Sequence, residues 1–179
     1  MERVERVERV DEQDRVVAVV ARGEAVRRGW LHRIAVTVCR DPEGRILVQR
    51  RSGSVARFPG HYEVATGGAV AAGESYEEAA ARELAEELGV RAPVRSVVTF
   101  LNRDGLSPHW LAVHEAVLSG DLTPDPDEVA WYGWLSESEL LTALREKPFT
   151  PDSHGTWRRY AAATGVTAVA AAAPERDDV

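Results

Sequence analysis

The stretch from Gly68 to Val90 reads GAVAAGESYEEAAARELAEELGV, and its second half predicts an α-helix that carries three glutamates close together. Because a helix advances about 100° per residue, the carboxylates of Glu83, Glu86 and Glu87 fall on one side of it, within an arc of roughly 100°. Like charges four residues apart on a helix repel each other. The pattern therefore indicates that a group of opposite charge lies against this side of the helix.

The boundaries of this helix follow from capping signals. Ser75 and Glu78 have the spacing of a capping box, so we expect the helix to begin near Ser75. Gly89 follows the last apolar position and suits a left-handed C-terminal cap. A helical wheel predicts a buried stripe, which consists of Ala81, Leu84, Ala85 and Leu88. The glutamates lie beside this stripe, and Arg82 lies beyond them, where it can neutralise one carboxylate.

A hard divalent cation would relieve the repulsion that remains between Glu83 and Glu87. Mg²⁺ prefers carboxylate and water oxygens and often keeps substrate phosphates as further ligands. The adjacent Gly67 and Gly68 allow a sharp turn and a close approach of the backbone, so a carbonyl oxygen there could complete the metal shell. The alternative is a purely structural acidic helix, because glutamate, alanine, leucine and arginine are all good helix formers.

Composition sets the broad class of protein. A chain of 179 residues with 44% hydrophobic and 28% charged residues fits one globular domain with a sizeable core. The formal net charge of −7 argues against sequence-independent binding to a nucleic acid polymer, which needs a basic face. The single cysteine, Cys39, excludes a disulfide within the chain and favours a reducing compartment. The charged N-terminus lacks an apolar signal core, and no apolar run reaches the ~20 residues that span a bilayer, so we expect a cytoplasmic protein without a membrane partner.

Predicted strands and helices alternate along the chain, and the turn sequences between some of the strands predict hairpins. Two β-branched runs flank the turn "DPEG" and two more runs flank "NRDGLSP", while "YEVATGGAV" and "VAWYGWL" predict further strands. The opening "ERVERVERV" is interpreted as a frayed terminus before the strand "RVVAVVA", and "GEAVRRGWL" as a short helix or turn. "SESELLTAL" and "TPDSHGTWRRYAAA" predict helices, because cap-type residues open them. This order favours a mixed sheet with helices packed on it.

The spacing of the fixed residues in the opening stretch resembles the Nudix box at every position. The stretch has Gly68, five residues, Glu74, seven residues, Arg82-Glu83-Leu84, one residue, Glu86-Glu87, one residue and Gly89-Val90. The segments "LVQRRS", "FPG" and "FTPDS", and the paired glycines, resemble the branch of Nudix proteins close to isopentenyl-diphosphate isomerase. Together these segments cover roughly residues 10 to 160.

The resemblance implies an α/β fold of the α+β kind, a Nudix-type α/β/α sandwich with a mixed β-sheet. It places a single domain over residues 1–162, with the box at 68–90, and leaves 163–179 as an Ala-rich and then acidic tail that we expect to be partly disordered. It also implies hydrolysis of a diphosphate linkage, with Mg²⁺ or Mn²⁺ as cofactor. The substrate would be a nucleoside diphosphate linked to a group X, or a related small-molecule diphosphate.

The resemblance assigns roles by position in the box. Glu83, Glu86 and Glu87 would be metal ligands, and one of them would also serve as general base. Glu74 and Arg82 would brace the loop and the helix, which completes the expected catalytic set. Gly67 is the expected backbone ligand to the metal.

Two alternatives to the hydrolase stay open. An isopentenyl-diphosphate isomerase would need a cysteine and a histidine where this chain has Thr66 and Gly68, so isomerase activity is disfavoured. His32 could match a metal-binding histidine of that enzyme, although a lone histidine beside a strand is more often structural. A Nudix-fold binding module without catalysis is the other alternative, and the intact box argues against it.

The remaining candidates would contact the substrate. Arg50 and Arg51 follow a strand, and a guanidinium binds phosphate through two hydrogen bonds. Neighbouring side chains on a strand face opposite ways, so only one of the two is expected at the substrate. Arg57 is a weaker candidate. Further carboxylates at Glu128 or Glu115 and aromatic side chains in "WYGW" and "HW" are open possibilities, as are the identity of X and a homodimer.

Overall fold

A computed structural model describes residues 4–166, which form nine strands and four helices. The strands are β1 (Arg6–Val10), β2 (Val16–Ala21), β3 (Arg33–Arg40), β4 (Ile46–Arg51), β5 (Tyr62–Glu63), β6 (Thr66–Ala69), β7 (Arg95–Asn102), β8 (His109–Val117) and β9 (Val129–Leu135). The helices are α1 (Arg22–Arg28), α2 (Tyr76–Leu88), α3 (Glu137–Glu146) and α4 (Pro151–Thr164). None of the helices among these residues is long and apolar enough to cross a membrane.

Seven strands form one mixed sheet, as expected. The strand order is β5-β4-β3-β8-β7, β6 also pairs with β3, and β9 also pairs with β4. β3 and β8 run parallel, while the other pairs in this sheet are antiparallel. The hairpin predicted around "NRDGLSP" is confirmed as β7 and β8. The one predicted around "DPEG" is only partly formed, because β3 and β4 meet at Arg40 and Ile46 and then diverge. The rest of that edge of β3 pairs with β6 instead.

Helices cover both faces of this sheet, which is the expected sandwich. Alternation along the strands divides the apolar residues between the faces. Val38 and Ile46 point toward one core cluster, which includes residues of α3 and α4. Their neighbours Cys39 and Leu47 point toward a second cluster, which includes residues of α2. The sheet is therefore apolar on both sides, and α2 alone packs its buried leucines against the second side.

The N-terminal repeat is a strand, and its interpretation as a frayed terminus is wrong. β1 pairs with β2 in a separate two-stranded sheet, and Val7 and Val10 are buried. The register shifts between Arg9 and Val10, where the partners are Ala18 and Val16, so Val17 is the extra residue of a bulge in β2. Val7 packs with Ala25 of α1 and with Ala69. The repeat thus contributes to a small core with α1.

The structure confirms both predicted boundaries of α2. Ser75 and Glu78 form the reciprocal bonds of a capping box, and Gly89 caps the C-terminus with φ of 65°. Its buried residues are Ala79, Ala80, Leu84 and Leu88. The predicted stripe is therefore partly wrong, because Ala81 is exposed and Ala85 is half-buried. The predicted tail begins at residue 163, but α4 continues to Thr164 and Gly165 caps it. The rest of the predicted tail, residues 167–179, lies outside the described residues, and the boundary of the domain at residue 162 stays a prediction.

Candidate functional site

The position of the buried stripe explains why two of the glutamates are not simply exposed. Glu83 and Glu87 follow Ala79 at intervals of four residues, so all three lie along one line of the helix. Ala79 is fully buried, so residues on this line of the helix lie in the core or at its edge. Glu83 and Glu87 are consequently half-buried, whereas Glu86 is exposed. The helix therefore presents two carboxylates at the border of the core and one in solvent.

Arg82 joins the loop before α2 to the helix. Its Nε and Nη2 donate to the two carboxylate oxygens of Glu74, at 2.9 and 3.0 Å. Nη2 also donates to the carbonyl oxygen of Ala69 at 3.1 Å, and the backbone N–H of Ala71 donates to Glu74 at 2.9 Å. Burial raises the pKa of the Glu74 carboxyl, but the bonds from Arg82 and Ala71 outweigh it, and the pKa is lowered. Glu74 is thus a charged structural partner of Arg82.

The same guanidinium reaches the glutamates of the helix. Arg82 Nη1 donates to Glu83 at 2.7 Å and to Glu86 at 3.0 Å. Glu78 does not take part, because its carboxylate accepts the capping bond from Ser75 N–H. Burial raises the pKa of Glu83 despite the contact with Arg82. The Arg82 guanidinium therefore forms ion pairs with Glu74, Glu83 and Glu86, but not with Glu87.

Glu87 belongs to a second group that sequence reasoning missed. The side-chain amide of Gln49 donates to Glu87 and to Glu63, at 3.1 Å in each case. The hydroxyl of Thr66 in turn donates to the carbonyl oxygen of Gln49 at 3.0 Å. Gln49 is buried in β4, and Glu63 lies in β5. The signal in the sequence was the polar Gln49 inside the apolar run "ILVQ", because a buried amide must be hydrogen-bonded.

This second group is short of positive charge. Burial, followed by repulsion from Glu63, raises the pKa of Glu87 to about 8. Burial also raises the pKa of Glu63, although Arg51 donates to that carboxylate at 3.0 Å. Repulsion from Glu83, which the helical spacing emphasised, is a smaller cause at Glu87 than repulsion from Glu63. Within the described residues, Glu87 has no arginine or lysine at salt-bridge distance.

The paired glycines make room for these groups. A Cβ atom at Gly68 would lie 2.6 Å from a carboxylate oxygen of Glu83, which is closer than such contacts occur. A Cβ atom at Gly67 would lie 2.1 Å from the carbonyl oxygen of Ala35 in the adjacent strand. Glycine at 68 therefore lets the Glu83 carboxylate approach the backbone of β6. That the carbonyl of Gly67 binds a metal stays a prediction.

The glutamates line a cleft, which we call the acidic cleft, together with three arginines. Its lining includes Glu83, Glu86, Glu87, Asp127 and Glu128, and also Arg22, Arg51, Arg57, Gly67 and Gly68. Arg51 enters it, whereas Arg50 is exposed and lines neither this cleft nor the pocket beside it. Of the two arginines, only Arg51 therefore lines these cavities, and that it binds a substrate stays a prediction. Arg57, the weaker candidate, also lies in the cleft.

Other candidates from the sequence lie outside the cleft. Glu115 accepts hydrogen bonds from Tyr160 and Arg95 at the far end of β8. The indole N–H of Trp110 donates to the carbonyl of Asp11, and Trp131 packs edge-on against Tyr62. These aromatic rings therefore serve packing, and none of them lines the cleft. Glu128 is the distal carboxylate that the fold does bring to the glutamates of α2.

A smaller pocket of about 150 Å³ lies beside the acidic cleft, and we call it the side pocket. Both cavities are lined by Arg22, Arg51, Arg57, Gly67 and Gly68. His32 and His109 line the side pocket, and their rings lie 6.1 Å apart. The sequence singled out His32, but it gave no sign that β8 would place a second histidine beside it.

The carboxylates of the cleft fit a divalent cation by charge rather than by their present orientation. Between residues 4 and 166, no three His, Cys, Asp or Glu side chains are already gathered as metal ligands. Arg82 holds Glu83 and Glu86, and Gln49 holds Glu87, so these carboxylates would turn to reach a common ion. The excess of negative charge at Glu87 is nevertheless what a hard cation with oxygen ligands would neutralise.

Comparison with known proteins agrees with this arrangement. The NUDIX domain profile matches residues 30–154. The uncharacterized Nudix hydrolase SCO1686 of Streptomyces coelicolor is 43% identical over 157 residues, which cover 86% of this chain and 87% of that protein. The uncharacterized Nudix hydrolase PA4841 of Pseudomonas aeruginosa is 36% identical, with 82% and 88% covered.

Solved structures show the same fold. The crystal structure of DR0079 from Deinococcus radiodurans has a TM-score of 0.75 and 29% identity, over 87% of this chain and 99% of that one. The NUDIX domain of Shewanella oneidensis NrtR, in complex with ADP ribose, has a TM-score of 0.60 over 83% of this chain and 100% of that one. At 19% identity the second likeness concerns the fold alone. A domain profile that matches most of the chain, and relatives well above 30% identity over most of their length, show that this chain belongs to the Nudix family.

Proposed function

We propose that the protein is a hydrolase that cleaves a diphosphate linkage, in a nucleoside diphosphate linked to X or a related small molecule, with Mg²⁺ or Mn²⁺. The observation that carries the proposal is the composition of the acidic cleft. Glu83, Glu86 and Glu87 occupy one wall, and Arg51 and Arg57 lie in the same cavity. A diphosphate is the ligand that such a cavity suits, because its oxygens bind both guanidinium groups and a cation held by carboxylates.

In this proposal, Glu83, Glu86 and Glu87 hold the metal together with the carbonyl oxygen of Gly67. When bound, the ion would neutralise negative charge on the phosphate oxygens during hydrolysis. One of the three glutamates also accepts the proton of the attacking water. The charge argument supports the role of Glu87 in particular, since Glu87 is half-buried without a cationic side chain among the described residues, whereas Glu83 and Glu86 pair with Arg82.

Other residues of the chain orient these groups. Arg82 and Glu74 fix the start of α2 relative to the loop after β6. Gln49 positions Glu87, and Gly68 leaves space for Glu83. Arg51 binds a phosphate oxygen, although it must share its guanidinium with Glu63. The resemblance to the isomerase branch stays a prediction. The structure offers no thiol for isomerase chemistry within residues 4–166, because Cys39 is buried and lies outside both cavities.

The test is turnover of a panel of diphosphates with Mg²⁺ or Mn²⁺. The panel contains nucleotide sugars, ADP-ribose, nucleoside triphosphates, dinucleotides, coenzyme A and prenyl diphosphates, and phosphate or monophosphate release is measured. Glu83→Gln should abolish most of the turnover. Glu77→Gln is the matched control, because Glu77 lies exposed in the first turn of the same helix and outside the cleft. No turnover of any compound by the wild type would favour the binding module instead.

A further inference from the structure

The side pocket continues directly from the acidic cleft. The basic residues Arg22, Arg51 and Arg57 lie at the junction, since they line both cavities. A diphosphate bound at these arginines would therefore have its substituent at the mouth of the side pocket. The pocket is small compared with the several hundred Å³ of most ligand sites, so it suits a compact group.

The lining of the side pocket is mixed rather than simply apolar. Its apolar part includes Val26, Ile34, Val36 and Val64. Its polar part includes Ser107, Asp152, Ser153 and Thr156, together with the two histidines. Asp152 belongs to the first turn of α4, and a carboxylate at this end would repel a second anionic group. The pocket therefore favours a compact, uncharged group that carries hydrogen-bond donors.

His109 has no ring nitrogen left for a ligand. Its Nδ1 donates to the carbonyl oxygen of Ser107 at 2.9 Å. Its Nε2 therefore carries the lone pair, and it accepts a hydrogen bond from the Asn102 amide at 3.2 Å. His109 is buried, and both of its nitrogens serve the loop between β7 and β8.

His32 differs from His109 in the hydrogen bonding of one ring nitrogen, Nε2. Its Nδ1 donates to the carbonyl oxygen of Trp30 at 3.2 Å, so Nε2 carries the lone pair. Among residues 4–166, no donor bonds this Nε2. Burial lowers the pKa of His32 to about 4, which keeps the ring neutral and the lone pair available at neutral pH. His32 as a residue is 1% exposed, but its Nε2 is not one of the buried side-chain atoms that lack a partner, so this atom is accessible from the side pocket that His32 lines. The side pocket is therefore the place where a donor would reach it.

We propose that the side pocket binds the group X of the substrate, and that His32 selects a hydroxylated, sugar-like X by accepting a hydrogen bond at Nε2. The inference rests on the proposed function in one respect, namely that the diphosphate lies in the acidic cleft. It adds a specificity-determining residue and a substrate class. Alkyl groups would leave His32 Nε2 unpaired, and substituents with further phosphates would meet Asp152.

The test compares two phosphates that differ in this group. Binding of ribose 5-phosphate and of isopentenyl monophosphate is measured by calorimetry, for wild type, His32→Phe and His32→Gln. Wild type should bind ribose 5-phosphate more tightly. His32→Phe should weaken that binding by about three- to tenfold, the effect of one neutral hydrogen bond, without weakening the binding of isopentenyl monophosphate. His32→Gln retains an acceptor oxygen and should restore most of the preference.

His109→Phe is the matched control in the same pocket. It should lower the melting temperature, because Asn102 and Ser107 lose their partner, but it should leave the ratio of the two affinities unchanged. Equal weakening of both ligands in His32→Phe, or no preference in the wild type, would overturn the inference. If the preference holds but no diphosphate is hydrolysed, the proposed function fails and the assignment of the pocket stands. If diphosphates are hydrolysed without any preference, only the inference about His32 fails.

Discussion

Glu115 and Glu87 are both partly buried glutamates, yet their surroundings move their pKa values in opposite directions. Burial raises the pKa of Glu115, but Tyr160, Arg95 and Arg40 outweigh it, and the pKa is lowered. Glu87 has the Gln49 amide as its side-chain partner, and burial with the nearby Glu63 raises its pKa to about 8.

The opposite pKa shifts distinguish a carboxylate whose charge is balanced by the protein from one whose charge a bound ligand would balance. Glu115 joins strands β7 and β8 to helix α4 through Arg95 and Tyr160, so its charge is balanced within the chain. Glu87 is balanced by one amide, which it shares with Glu63. Substitutions at these two sites should therefore affect different properties of the protein, and each prediction below tests that division.

The largest effect is expected for Glu87→Gln on activity. The amide has the shape of the carboxylate and can still accept from Gln49, but it cannot supply a negative charge to a metal. We expect turnover to fall by on the order of 100-fold, as for other groups that act directly in a reaction. The metal-free variant should melt at the same temperature as wild type or above it, because one repulsion is removed.

Melting curves of both proteins with and without Mg²⁺ complete this test. Wild type should gain stability with Mg²⁺, since the ion binds the folded state preferentially, and Glu87→Gln should gain less. Glu77→Gln should behave like wild type both with and without Mg²⁺. Equal Mg²⁺ shifts in wild type and Glu87→Gln would show that Glu87 is not a ligand.

This division was only partly visible in the sequence. The spacing of the box identified α2, both of its caps and the three glutamates, because these features are local to one helix. Glu63 and Gln49 could not be found in that way, since their meeting with Glu87 depends on the pairing of β4 with β5 and on the packing of α2. Likewise, the sequence could not place His109 beside His32, because β3 and β8 pair over a long separation.

Glu115→Gln should have the next largest effect, and it should act on stability rather than on turnover. The amide would leave the exposed Arg95 without its anionic partner, and the half-buried Arg40 would keep Glu137 as its carboxylate partner. We expect a loss of about 1–3 kcal/mol in the free energy of unfolding, typical of breaking a hydrogen-bonded pair that involves charge. Urea denaturation with and without Mg²⁺ measures it, and the loss should be the same in both. A large fall in the turnover of Glu115→Gln, under conditions in which the variant is fully folded, would contradict a purely structural role for Glu115.

Gln49→Leu tests the single amide that donates to both Glu63 and Glu87. The leucine fits an apolar strand but removes the donor to Glu63 and Glu87 and the acceptor of Thr66. We expect the metal-free protein to lose about 1–2 kcal/mol, because buried polar groups lose their partner. Addition of Mg²⁺ should recover more of the melting temperature in this variant than in Glu115→Gln, since only the cleft carboxylates gain a new partner. Equal recovery in both variants would remove the distinction between the two sites.

The smallest expected effect is a pH dependence of opposite sign at the two glutamates, measured as melting temperature without metal. An unfolded glutamate has a pKa of about 4.3. Because folding raises the pKa of Glu87 to about 8, the folded state holds its proton between these values, and this contribution to stability is lost as pH rises through that window. Folding lowers the pKa of Glu115, so its contribution is present above about pH 4.3 and is lost as pH falls through the folded value. Glu87→Gln should therefore match wild type near pH 4 and melt higher by pH 8.5, with each kcal/mol worth about 2–4 °C in a chain of this size. Glu115→Gln should melt below wild type at pH 7 and approach it as pH falls toward 3.5. Parallel curves for both variants across this range would show that the two carboxylates are balanced alike.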